Sequence, residues 1–371
     1  MKKIVLSANS SWYLYNFRSS TIQALIKKKY DVICISPRDD YSDKLETMGA
    51  AWIDLKMDTN GTNPLKDIIL FLELYKKYKF IKPHSVFHFT VKNNIYGSLA
   101  AGFLGLISFS NITGLGSVFL KEGFLPKIVK ILYKISQRQA SKIFVQNSED
   151  MQYLIKNNIS SSNKIVLLPG SGVNLNKFIP KPRSHQSQNK RLKFFFAGRM
   201  LYEKGLKELI DAINLVNEQN VKCELFLAGF VDVGNKSAVP IETIKAWSEK
   251  DYISWLGPSD NLEDLIAIMY VAILPSYREG MPRFLLEAGA AGLPSITTDV
   301  QGCNEIIQDG YNGLICRPKD VFSLVKNIND IIIMSNAQRQ KMGLNARKVV
   351  EDGFGEEKVV QKTLSVIQGI N

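Results

Sequence analysis

Histidine, cysteine and the short glycine fingerprints of nucleotide enzymes are scarce in this chain, and each shortage removes a class of protein. Its 371 residues hold three histidines and four cysteines. Cys34, Cys223, Cys303 and Cys316 form no Cys-x-x-Cys pair and sit among apolar residues, so they read as reduced thiols rather than a disulfide framework. His84, His88 and His185 have no second histidine or cysteine at ligand spacing, which argues against a zinc site. The first strand-like run opens onto SANSSWYLYNFR, with neither Gly-x-Gly-x-x-Gly nor a Walker lysine, so a dehydrogenase or an ATPase loses its main support. An Asp-x-Asp pair, of the kind that holds a divalent ion against a nucleotide-sugar diphosphate, is also missing. Any phosphate bound here has to be neutralised by protein. Long apolar runs are absent as well. No charge falls between Lys92 and Lys121, but Gly97, Gly102, Gly105, Gly114 and Gly116 alternate there with Asn93, Asn94, Asn111 and Thr113. No window of about 20 residues is uniformly apolar, and no membrane crossing is expected. Behind Lys2 and Lys3 only Ile4, Val5 and Leu6 form an apolar run, too short for the core of a signal peptide.

What is present describes a globular protein with a charged side. Hydrophobic residues make up 45% and charged residues 22% of the chain, and the length suits two domains of about 150 residues or more. The net charge of +12 is not spread evenly: residues 1–180 carry 24 basic and 12 acidic side chains, the remainder 23 of each. The first half therefore faces something anionic, a membrane surface, a phosphorylated ligand or nucleic acid, or is simply a soluble basic face.

Short apolar runs alternate with amphipathic helical patterns throughout, which predicts parallel sheets with crossover helices. Strands are expected at Ile4 to Ala8, Val32 to Ser36, Ser85 to Thr90 and Ile143 to Gln146, and again at Lys193 to Ala197, Glu224 to Ala228, Ile253 to Leu256, Val271 to Leu274 and Ser295 to Thr298. Helices are expected between them, including one near Asn304 to Gln308. The segment KPRSHQSQNK has two nearby prolines, Pro180 and Pro182, and no large apolar residue, so it reads as a linker. The fold class is α/β: two Rossmann-like, doubly wound units in tandem, residues 1–180 and 191–371, joined by 181–190.

Two segments of the second half can carry chemistry. In FFFAGRMLYEKGLKELIDAI an apolar strand runs into Gly198 and Arg199, then Lys204 and Gly205, then a helix. An arginine fork, a lysine point charge and a helix N-terminus at a strand end make an anion site, while a solvated loop with ordinary surface cations is the plainer alternative. In LPSYREGMPRFLLEAGAAGLPSI, Glu279 follows a strand, Pro282 suits a first helical position and Glu287 lies one turn beyond Arg283. Gly280 lets backbone amides approach a ligand. The apolar neighbours of Glu287 predict that its helix is buried, where a carboxylate requires a partner. Two carboxylates so placed suit sugar-hydroxyl recognition.

Taken together, the chain resembles a family-4 glycosyltransferase of the GT-B fold, most like bacterial enzymes that extend undecaprenyl-diphosphate-linked sugars. The residues that carry the resemblance are NFR at 16–18, KNNIYGSLAA from 92, ITGLGSVF from 112, LLPGSGVNLNKF from 167, AGR with the following EKG, and the two glutamates eight positions apart at 279 and 287. The likeness spans essentially the whole chain. It implies a retaining transfer of a hexose or N-acetylhexosamine, GalNAc or GlcNAc first, from a UDP-sugar to a polyprenyl-diphosphate-linked saccharide in capsule, O-antigen or glycan assembly. It further implies that Arg199 and Lys204 bind the donor diphosphate, that Glu287 binds the ribose, and that Glu279, Gly280, Met281 and Pro282 hold the sugar, with Gly198 lining the donor side. On the same resemblance Glu279, Arg199 and Lys204 would be the catalytic set. Asn16, Arg18, Thr113, Gly114 and Gly116 would line the acceptor side. No metal and no other cofactor is expected. The family commonly places a histidine near the sugar; here the matching loop is TGLG, and His88 lies in a strand, where it reads as a core residue. The resemblance leaves room for the last helix to return to the N-terminal domain.

A lipid-linked acceptor gives the basic first half a partner. In LPKIVKILYKISQRQASK, Lys127, Lys130, Lys134 and Arg138 share a face flanked by Ile128, Ile131, Leu132 and Ile135, and Lys76, Lys77, Lys79 and Lys82 lie among aromatics. This predicts a cytoplasmic protein lying on the anionic inner face of the membrane. Two rival readings are a nucleotide-sugar epimerase on the same architecture and a basic nucleic-acid-binding protein. The first lacks the paired glutamates, and the second would need exposed aromatics interleaved with arginine, so no nucleic-acid partner is expected.

Overall fold

The computed structural model describes residues 1–59, 61, 63–115, 123–183, 191–219 and 223–370. The chain divides into two units, Met1–Ser171 with Glu356–Asn371, and Gly172–Gly355. In the first, β1 (Lys3–Ser7), β2 (Asp31–Ser36), β3 (Ala51–Asp54), β4 (Ser85–Phe89), β5 (Ile107–Ile112), β6 (Lys142–Val145) and β7 (Ile165–Leu167) form one sheet in the order β3-β2-β1-β4-β5-β6-β7. Neighbours pair in parallel, and Ser7 stands opposite Ile35 on β2 and His88 on β4. Nearly unbroken apolar runs such as IVLS and VICIS fit strands covered on both faces.

Helices α1 (Ser11–Lys27), α2 (Ser42–Thr47), α3 (Pro64–Ile81), α4 (Ser98–Phe103), α5 (Phe124–Gln139) and α6 (Ser148–Lys156) accompany the sheet. The period-two alternation of β1 sends Ile4 and Leu6 to one core with Leu14, Ile22 and Leu25 of α1, and Val5 to another with Leu70, Leu74 and Tyr78 of α3. The order of strands reverses between β1 and β4, so the segments leaving these two strands flank the crevice where doubly wound sheets take ligands.

The second unit repeats this plan. Strands β8 (Leu192–Ala197), β9 (Cys223–Ala228), β10 (Ile253–Trp255), β11 (Val271–Leu274), β12 (Ser295–Thr298) and β13 (Gly313–Cys316) are ordered β10-β9-β8-β11-β12-β13, again all parallel. Helices α7 (Leu206–Glu218), α8 (Ile241–Trp247), α9 (Leu262–Ala267), α10 (Arg283–Ala290), α11 (Val321–Ile333) and α12 (Asn336–Gly353) flank the sheet. Its reversal lies between β8 and β11, the strands that lead into the two chemistry-bearing segments.

Two features depart from the pattern expected of the sequence, and a third follows the return of the last helix that the resemblance allowed. The second unit begins at Gly172, ahead of the 181–190 segment, because Val173 and Phe178 are buried in its core. Arg183 is tied there as well, donating from Nε to the Met269 carbonyl at 2.8 Å and from Nη2 to that of Ala291 at 3.0 Å. Residues 184–190 lie outside the described part. Residues 301–306 are a run of turns rather than the start of a helix. Gly302 there has φ +78°, and a Cβ on it would stand 2.5 Å from the Gly280 carbonyl oxygen. The last helix, α13 (Glu356–Ile370), belongs to the first unit, where Val359 and Ile367 join the core beneath α1.

Candidate active site

At the end of β8 the apolar run FFFA stops at Gly198, whose N–H donates to the Ala228 carbonyl at 2.9 Å. The neighbouring strand has Gly229 at the matching place, and a Cβ there would lie 1.8 Å from the Gly198 carbonyl oxygen. Arg199 then emerges, its side chain 47% exposed, and Nη1 pairs with Asp232 Oδ2 at 2.9 Å. A single 3-10 turn, Tyr202–Lys204, leads into Gly205, which caps α7 with φ +72°. A Cβ on Gly205 would come within 2.0 Å of the Pro275 carbonyl oxygen, so only glycine lets this turn lie against the chain leaving β11.

That close approach brings the two segments together. Tyr277 N–H donates to the Glu203 carbonyl at 2.9 Å, and the Tyr277 hydroxyl to Glu208 Oε1 at 2.6 Å. Burial, and then the adjoining Glu208 carboxylate, push the Tyr277 phenol well above its ordinary value. Lys204 Nζ meets Glu279 Oε1 at 2.5 Å, with side chains only 18% and 11% exposed. The Glu279–Gly280 backbone rests on Gly302, and Thr298 Oγ1 donates to the Ser276 carbonyl below it. Cys303 is buried under this loop; burial first, and the Glu279 charge second, push its thiol up.

Pro282 sits at the N-cap of α10, one position before the expected one, and Glu287 is 8% exposed within that helix. Its required partner is Arg283, one turn back, whose Nε donates to Oε1 at 2.8 Å. Burial pushes the Glu287 carboxyl up, while Arg283 and, more weakly, Lys177 pull it down. Lys177 is itself paired with Glu263 at 3.1 Å.

In the first unit Asn16 is half-buried on α1 and donates to the Trp12 carbonyl at 3.0 Å. Arg18 is only 3% exposed: its guanidinium lies 4.6 Å over the Phe89 ring at the end of β4, and Nη2 donates to the Tyr13 hydroxyl at 3.2 Å. It is a cation folded back over aromatic rings rather than an open one. Thr113 and Gly114, beyond the end of β5, are half-buried; Gly116 lies outside the described residues. His88 is fully buried, with Nδ1 3.2 Å from the Ser98 hydroxyl, and burial lowers its pKa to about 3. It is a neutral core histidine, and Gly97 makes room for its ring. Among the described residues no group of three or more His, Cys, Asp or Glu could hold a metal ion, and no helix is long and apolar enough to cross a membrane.

The structure thus joins Lys204 to Glu279 and Arg283 to Glu287, and it holds Arg199 by a residue the sequence reading missed, Asp232. The signal for Asp232 is slight: an aspartate three residues before an asparagine in VDVGN, a turn-forming pattern just past β9.

Two doubly wound parallel sheets, the second with paired cations and carboxylates by its reversal point, define a two-domain transferase fold. A model described as glycosyl transferase 4-like matches residues 3–147, and one described as glycosyl transferases group 1 matches residues 178–349. The chain is a glycosyltransferase of the GT-B fold. It is 27% identical, over 95% of both chains, to the N,N'-diacetylbacillosaminyl-diphospho-undecaprenol alpha-1,3-N-acetylgalactosaminyltransferase of Campylobacter jejuni. It is 26% identical, over 80% of this chain and 78% of the relative, to the UDP-Gal:alpha-D-GlcNAc-diphosphoundecaprenol alpha-1,3-galactosyltransferase of Escherichia coli. Among solved structures, the sucrose-phosphate synthase of Thermosynechococcus elongatus shares its fold with a TM-score of 0.82 at 18% identity, over 100% of this chain and 99% of that one. Anabaena HepE in complex with UDP and glucose does so with a TM-score of 0.81 at 16% identity, over 100% of both. These findings support neither the epimerase nor the nucleic-acid reading.

Proposed function

We propose that the protein transfers a hexose or N-acetylhexosamine, GalNAc or GlcNAc first, from a UDP-sugar to a saccharide carried on undecaprenyl diphosphate, with retention of configuration. The observation that carries this reading is the Lys204–Glu279 pair: residues 75 apart in sequence meet at 2.5 Å at the reversal point of the second sheet. The near full-length likeness to an enzyme named for such an acceptor supports the same reading.

In this proposal Arg199 and Lys204 neutralise the donor diphosphate, the first as a fork and the second as a point charge. Glu287, held in one rotamer by Arg283, takes the ribose hydroxyls, and Glu279 with the backbone of Gly280, Met281 and Pro282 takes the sugar. Attack on the same face as the leaving group lets the departing diphosphate accept the acceptor's proton. No carboxylate nucleophile and no metal is then required; the protein's work is to orient two substrates and stabilise the charge that grows on the leaving phosphate. Asn16, Thr113, Gly114 and Gly116 serve the acceptor, and Arg18 acts through Tyr13.

The basic first unit lies on the anionic inner face of the membrane. On α5, Ile128, Ile131 and Ile135 are 36%, 58% and 46% exposed beside Lys127 and Arg138. Helix α3 adds exposed Leu65, Ile68, Ile69 and Leu72. Apolar side chains rimmed by cations suit a lipid surface. Incubating the purified protein with a panel of UDP-sugars and short polyprenyl-diphosphate saccharides tests the function: product with a UDP-N-acetylhexosamine or UDP-hexose supports it, and UDP release only in the absence of any acceptor would sink it.

A further inference from the structure

We propose that Asp232 is the resident anion of the donor site: it holds Arg199 while no diphosphate is bound and yields it when the diphosphate arrives, so that Asp232 sets how tightly the enzyme retains UDP. The proposal rests on the assignment of Arg199 to the donor diphosphate made above.

The carboxylate is delivered to a fixed place. The segment from Phe230 to Val239 is stitched to the Arg199–Glu203 turn along its length: Met200 N–H donates to the Phe230 carbonyl at 3.0 Å, Tyr202 N–H to that of Ser237 at 2.8 Å, and Val239 N–H to that of Met200 at 2.9 Å. Glu203 N–H donates to Ser237 Oγ at 3.3 Å. Asp232 therefore stays beside the donor turn whatever Arg199 does.

The exchange is inexpensive for the carboxylate. Asp232 Oδ2 also accepts from Asn235 Nδ2 at 3.0 Å, so it keeps a hydrogen-bond donor after Arg199 leaves. Asn235 is itself fixed, its N–H on the Asp232 carbonyl at 2.9 Å and its Oδ1 accepting from Ser237 N–H at 3.0 Å. Arg199 engages Asp232 through Nη1 alone and is 47% exposed, against 18% for Lys204 in its pair with Glu279. Of the two cations, Arg199 is the one a solvent-borne anion can reach and turn. A diphosphate carries more charge than one carboxylate and suits the arginine fork, so it wins the competition, at a cost in affinity set by the strength of the half-exposed pair it replaces.

The test is UDP binding to the full-length protein by titration calorimetry. Asp232→Asn keeps the shape and the Asn235 contact while removing the competing charge, and is expected to tighten UDP binding by about 2- to 5-fold. Asp232→Ser, which also removes the charge, is expected to shift binding in the same direction. A merely structural role for Asp232 would weaken binding in both variants. Arg199→Ala weakens UDP, and in an Arg199→Ala background Asp232→Asn has a smaller effect than in the parent, because only direct repulsion of the diphosphate is left to remove. If Arg199→Ala weakens UDP binding but the Asp232 variants leave it unchanged or weaken it, the proposal is overturned and the donor assignment stands. If Arg199→Ala leaves UDP binding intact, the donor assignment fails and takes the proposal with it.

Discussion

Replacing Lys204 with Met separates what the Lys204–Glu279 pair does for folding from what it does for transfer. The two side chains are 18% and 11% exposed, so the variant leaves a mostly buried carboxylate without its cation. Breaking a fully buried pair costs ~3–5 kcal/mol and an exposed one ~0–1 kcal/mol; at this burial we expect about 1–3 kcal/mol. In thermal unfolding that is a fall of roughly 2–10 °C for the second unit. Turnover falls further, by about 100- to 1,000-fold, because a preorganised charge at the leaving phosphate is gone. The double variant Lys204→Met with Glu279→Gln removes both charges and regains most of the stability, to within about 1 kcal/mol. It does not regain turnover. Thermal melts paired with a UDP-release assay read both quantities on the same samples. Recovery of turnover together with stability in the double variant would refute the reasoning, since the pair would then be structural alone.

Three further outcomes follow. Gly205→Ala places a Cβ 2.0 Å from the Pro275 carbonyl at φ +72°, and should cost at least about 1–3 kcal/mol and abolish transfer by displacing the Lys204 turn; a melt and turnover like the parent's would contradict this. His88 has its pKa lowered to about 3 by burial, so between its ordinary value and that point the unfolded chain binds the extra proton. Stability should therefore fall as pH drops from about 6.5 toward 3, by up to about 1.4 kcal/mol per pH unit, and His88→Gln should flatten that part of a urea-denaturation profile. Ile131→Glu with Ile135→Glu should abolish sedimentation with anionic liposomes while leaving far-UV circular dichroism unchanged; undiminished sedimentation would show that α5 does not touch lipid.

Much of the architecture was legible because strands buried on both faces are written as apolar runs, and the positions of β1, β2, β4, β8, β9, β11 and β12 could be read directly. The short strands β3, β7 and β13 carry three or four residues with little contrast to their surroundings, and only their neighbours in the sheet define them. At the site, Glu287 could be inferred to be buried from its apolar helix, and Arg283 was in range as its partner. Gly280 was readable as a point where backbone can come close to a ligand, whereas the close approach of Gly205 to Pro275 shows only in the structure. The hold of Asp232 on Arg199 could not be read, because it depends on two turns from different strands lying side by side. Arg18 was equally opaque: a helical arginine is ordinarily solvated, and only the arrival of Phe89 beneath it turns the guanidinium inward. The apolar residues of α3 do not by themselves show which of them face inward: Leu70, Leu74, Tyr78 and Ile81 are buried, whereas Leu65, Ile68, Ile69 and Leu72 look outward.

Because α13 packs on α1, the first unit is sewn from two separate stretches of chain, with the second unit spliced between them. On the ribosome the side of the first sheet that receives Val359 and Ile367 must wait, bare, until that helix has been made, while the second unit emerges before it and can fold at once. A chain stopped just before Glu356 would keep the second unit whole, yet leave the distant first strand and its helix short of part of their apolar cover.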